Sequence, residues 1–95
     1  ELHIHMLAST ALALARLERF EEAEEIGLQG VSLAKTLGDP GLLAICFLRQ
    51  GQIHFQQDKL AGASYWFQQG VQTAKKAGLT HLEAVFRDAL NNLEG

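Results

Sequence analysis

The sequence predicts an all-α chain of antiparallel helix-turn-helix hairpins stacked side by side, and three observations predict it. Proline occurs once in 95 residues, while Ala, Leu, Gln and Glu are plentiful, so helix is favoured along the whole chain. β-branched residues are few and never alternate with polar ones as a half-buried strand requires. The chain also aligns with itself after a shift of 40 residues, the mark of a repeated supersecondary unit.

Helix breakers divide the chain into five helices. The first covers 2–16 and the second 20–37, parted by a polar joint, Leu17–Arg19, that contains neither Gly nor Pro. The second helix runs into KTLGDPG. There Gly38 stands just past a helix end, Asp39 can cap the next helix, and Pro40 suits its first turn. The third helix, 41–56, meets a second polar joint at Gln57–Lys59. The fourth, 60–77, runs into KKAGLTHLE, where Gly78 repeats the part of Gly38. Thr80 can cap the last helix, 80–93, and Glu83 stands three residues on, at capping-box spacing. Phe20, Ala23, Ile26, Val31, Ala34 and Leu37 recur at helical spacing in the second helix. Leu60, Ala63, Phe67, Val71, Ala74 and Ala77 do so in the fourth, giving each helix one apolar stripe. Joints this short leave neighbouring helices antiparallel.

The internal repeat is densest in the second helix of each unit. Ala23, Gln29, Gly30, Val31, Ala34, Lys35 and Gly38 fall on Ala63, Gln69, Gly70, Val71, Ala74, Lys75 and Gly78. Leu2 falls on Leu42, and a third copy starts with Leu82, Ala84 and Val85 on Leu42, Ala44 and Ile45. Gly30 and Gly70 lie inside helices, where glycine costs about 1 kcal/mol relative to Ala. Bearing that cost twice at one register points to a steric need for close approach. The chain therefore reads as a single domain over 1–95: units of about 1–40 and 41–78, and the first helix of a third over about 79–95.

On these residues the chain resembles the tetratricopeptide repeat family, in a longer variant with a period near 40. The family's small contact residue in the first helix is matched by Ala11 and Gly51, and the large residue three positions on by Leu14 and His54. After the turn come Phe20 and Leu60, then the small residues Ala23 and Ala63. The aromatic four later is present as Phe67, whereas Gly27 stands in its place in the first unit. Thr10 and Gln50 replace the apolar residue expected just before the small contact. The resemblance implies a right-handed α-solenoid whose first helices line a concave surface. It also implies a non-catalytic protein–protein interaction module within a larger regulatory or signalling protein of the cytoplasm. The concave-face residues would be His5, Ser9, Leu12 and Arg16, then Arg49, Gln52 and Gln56, then Asp88 and Asn92. The expected partner is a peptide or protein segment; two arginines in that row suit a carboxylate, so an acidic or C-terminal peptide is one ligand such a face could take.

The last helix opens an alternative. Leu82, Phe86, Leu90 and Leu93 give it a broad apolar face with nothing after it to cover the remainder, so the chain could instead self-associate as a homodimer. In Tyr65–Trp66–Phe67, one stripe cannot bury all three rings, so at least one faces outward.

Other function classes find little support. Lys and Arg number 8 against 11 Asp and Glu, a net charge of −3, which argues against tracking nucleic-acid phosphates. No apolar run approaches the roughly 20 residues of a membrane span. The lone Cys46 excludes an internal disulfide, fits a reducing compartment, and sits beside Ile45 and Phe47 as a small core residue. His3 and His5 are two apart and point apart on a helix, with no third ligand at suitable spacing, so no metal is expected. His54 reads as half-buried, and the Glu21–Glu22 and Glu24–Glu25 pairs suit the positive end of a helix. No nucleophile–base set or phosphate loop can be assembled, so neither catalysis nor a cofactor is expected.

Overall fold

A computed structural model describes residues 2–94. Five helices account for nearly all of them: α1 (Leu2–Arg16), α2 (Phe20–Leu37), α3 (Pro40–Gln56), α4 (Leu60–Ala77) and α5 (Thr80–Glu94). The chain is all-α, with no strand among the described residues. Each expected boundary lies within one residue of the observed one.

The helix ends explain why the boundaries were readable. The chain leaves each of the first four helices through a left-handed residue: Glu18 (φ 63°), Gly38 (φ 68°), Asp58 (φ 60°) and Gly78 (φ 72°). The two joints without glycine therefore turn as the glycine joints do. Arg19 N–H donates to Leu14 O (2.9 Å), Lys59 N–H to His54 O (3.0 Å) and Leu79 N–H to Ala74 O (2.8 Å). Each is the long bond of a Schellman closure, which satisfies a terminal carbonyl. A left-handed conformation costs an L-residue about 1–2 kcal/mol, and Asp bears it more readily than Glu. Glu18→Gly is therefore expected to raise stability by about 0.5–1 kcal/mol in urea unfolding, and Asp58→Gly by less. An unchanged or lower midpoint for Glu18→Gly would show that the turn carries no strain.

Asp39 caps α3 as expected, its Oδ1 accepting from Gly41 N–H (3.0 Å) and Leu42 N–H (3.1 Å). The capping box at α5 does not form. Thr80 is already helical, and the Glu83 carboxylate instead accepts from Arg87 one turn on (2.8 and 3.1 Å).

Each helix packs on its neighbour in sequence, and α1 packs also on α3. The Cα atoms span 34 × 34 × 16 Å, the short dimension being that of two packed helices. One core cluster runs from Ile4 through Val31, Leu42, Phe47 and Phe67 to Phe86. A second, made of Ala11, Ala15, Ala23 and Ile53, lies toward the α1–α2 turn. The apolar stripes loosen at their ends, where Leu37 and Leu60 remain exposed. Of the consecutive rings, Phe67 is buried, Trp66 is half-buried against Phe47 (centroids 5.6 Å), and Tyr65 faces outward. Cys46 is buried, and burial pushes its thiol up against a smaller opposing pull from Arg49.

Small residues set how closely the helices approach. A Cβ on Gly51 would stand 2.6 and 2.8 Å from Phe67 Cδ1 and Cζ, and one on Gly70 2.6 Å from Phe86 Cδ1. Gly30 faces Cys46 as Gly70 faces Phe86, and residues 46 and 86 are themselves one period apart. At this register the sequence repeat is also a repeat of facing positions. The steric need expected at both glycines exists only at Gly70. A Cβ on Gly30 would meet Cys46 Sγ at 3.5 Å and Leu7 Cβ at 3.7 Å, which is ordinary contact.

Candidate functional site

The repeat departs from symmetry where a site becomes possible. On α1, which packs directly on α3, Ala8 and Ala15 are buried. One period later the same positions are Leu48 and Phe55, and α3 makes no comparable approach to α5. Exchanging alanine for leucine and phenylalanine leaves a cleft of about 290 Å³ between α3 and α5. Leu48, Gln52 and Phe55 form its α3 wall, and Phe67 of α4 contributes to its lining. Its α5 wall is Val85, Asp88, Ala89, Asn92 and Leu93. Phe55 is 48% exposed, a large apolar ring left in water.

Three of the residues expected on a concave face, Gln52, Asp88 and Asn92, meet in this cleft. Arg16 and Gln56 line a second, more polar hollow beside the hairpin turns, together with Glu18 and Asp58. Arg49 stands outside that hollow and donates to Gln52 Oε1 (3.1 Å). The two arginines therefore do not converge on one site, and the acidic-peptide expectation loses the pair of cations on which it rested. His5 and Ser9 are exposed and Leu12 half-buried on α1, lining neither cavity.

The self-association face is also reduced. Phe86 is 0% exposed, its ring lying over Gly70 and beside Phe67 (centroids 6.4 Å), so it has no surface to offer a second copy. Leu82, Leu90 and Leu93 are half-buried and pack on the same core. The cause is local: with no side chain at Gly70, the largest member of the α5 apolar stripe sinks fully against α4.

A polar cluster ties the hairpins together away from the cleft. Glu24 of α2 accepts from Gln57 Nε2 (2.6 Å), with Lys59 Nζ at 3.5 Å and His54 Nε2 at 3.9 Å. Partial burial pushes the Glu24 carboxyl up, but the Gln57 hydrogen bond and the fields of His54 and Lys59 outweigh it and hold it below the ordinary value. The His54 Nδ1–H donates to Gln50 O (2.9 Å), because a carbonyl only accepts. The histidine is thus half-buried in a structural network, as expected from its place in the repeat.

Sequence reasoning missed Leu48, Phe55, Val85 and Ala89 as lining residues. The signal was present in the alignment as the exchanges Ala8 to Leu48 and Ala15 to Phe55. No helix among the described residues is long and apolar enough to cross a membrane. No family model matches this chain, and comparison with curated proteins and with solved structures finds no match.

Proposed function

We propose that the chain is a non-catalytic protein-interaction module, a tetratricopeptide-like right-handed stack that binds a peptide segment between α3 and α5. The observation that carries this reading is the cleft itself. It is largely apolar, has convergent polar groups at Gln52, Asp88 and Asn92, and is lined by the helices that such a stack turns toward its partner. That Gly30 and Gly70 face equivalent positions, 46 and 86, supports the stack, although the two contacts differ in tightness. Largely apolar clefts with a few fixed polar groups are the common form of ligand sites.

The test is selection of random heptapeptides displayed on phage, run in parallel on the native chain and on Phe55→Glu. Phe55 is half exposed, so the substitution changes the cleft with little cost to the core. Sequences enriched on the native chain and lost on Phe55→Glu are the expected result. Absence of enrichment, or enrichment indifferent to the substitution, would remove the cleft as the binding site.

A further inference from the structure

We infer that the cleft between α3 and α5 selects an extended peptide carrying bulky apolar side chains around a lysine or arginine. This rests on the binding reading above and adds the chemistry of the partner.

The length of the wall sets how much of an extended segment the cleft can take. From Leu48 to Phe55 the α3 wall runs about two helical turns, or about 10 Å along the axis. The same length spans about three extended residues. In an extended segment alternate side chains point the same way, so two can enter between Leu48, Phe55, Val85 and Leu93 while the third stays at the rim.

Charge then chooses the third residue. Asp88 is the one charged side chain in the lining, is exposed, and has no ion-pair or hydrogen-bonding partner among the described residues. The nearest cation in sequence, Arg87, is already tied to Glu83 (2.8 Å). Arg49 is bonded to the Gln52 amide oxygen and lies outside the lining. A cation at the rim therefore meets an unopposed carboxylate, and an anion meets repulsion. The Gln52 and Asn92 amides stand on opposite walls. They supply a donor and an acceptor for the backbone groups that an extended segment leaves unpaired.

The experiment titrates the ¹⁵N-labelled chain with three blocked peptides that differ only at the centre: Leu-Lys-Leu, Leu-Gln-Leu and Leu-Glu-Leu, each in a Gly/Ser frame. Amide shifts at Gln52, Phe55 and Asn92 are expected for Leu-Lys-Leu. Its affinity should be about threefold to fivefold above that of Leu-Gln-Leu, as for an exposed ion pair, with Leu-Glu-Leu weakest. That order should collapse to equal affinities in Asp88→Asn, and shrink in about 1 M salt. Equal binding of all three to the native chain overturns the charge selection and leaves the peptide-binding reading standing. Preference for Leu-Glu-Leu overturns it in favour of the arginines. No cleft shifts with any of the three overturn both.

Discussion

Gly70→Ala is expected to destabilise the fold by about 1–3 kcal/mol, while Gly30→Ala, at the equivalent place one unit earlier, is expected to stabilise it by up to about 1 kcal/mol. The chemistry of the two changes is identical, so the difference lies in the neighbour. At position 70 a methyl would enter the Phe86 ring, which is fully buried and has Phe67 beside it. Phe67 in turn lies over Gly51, so movement of the crowded ring toward Phe67 meets a second tight contact. At position 30 the nearest atoms are 3.5 and 3.7 Å away, and the methyl recovers the helix propensity that glycine forfeits. Urea unfolding of the two variants settles the sign. Gly70→Ala combined with Phe86→Cys, which copies the first unit's pairing, should lose less than the two single changes summed. A neutral Gly70→Ala would mean that the Phe86 ring is free to withdraw and that close approach is not what the glycine provides.

Gln50→Met is expected to stabilise by about 1–2 kcal/mol. Gln50 is 1% exposed, its Oε1 is buried without a hydrogen-bond partner, and its end lies against Gly27. A buried acceptor left unmade costs about 1–3 kcal/mol, and methionine keeps the length of the side chain while removing the unpaired oxygen. Gln50→Ala should destabilise instead, because it empties the space over Gly27. If thermal unfolding shows Gln50→Met to be the less stable protein, the amide makes an interaction that outweighs its burial.

Much of the fold was legible because it is written in short-range chemistry. Gly38, Asp39, Pro40 and Gly78 mark helix ends by properties of single residues, and these marks survive any tertiary context. The joints at Glu18 and Asp58 were legible only as gaps in the apolar pattern, since their left-handed turns are made without the glycine that usually marks them. The cleft was not legible, because its width is a property of two helices at once. Leu48 and Phe55 look like ordinary core residues until α1 is seen against α3 through alanines at the same register. Gln50 and Gly27 look like two separate departures from the repeat. In space they are one exchange, with the glutamine filling the room that the aromatic at Phe67 takes up in the second unit.

The bulk of Leu48 and Phe55 has one more effect, on how firmly α5 is attached. α1 is braced by both α2 and α3, whereas α5 leans chiefly on α4. Such a single-sided attachment makes α5 the cheapest segment to detach as a unit, so its amides trade protons with solvent before those of the middle helices. An occupant touching both walls supplies the missing second brace. Part of its affinity is spent in holding α5 still, and its arrival is registered as slowed exchange along the whole of α5, well beyond the residues it covers.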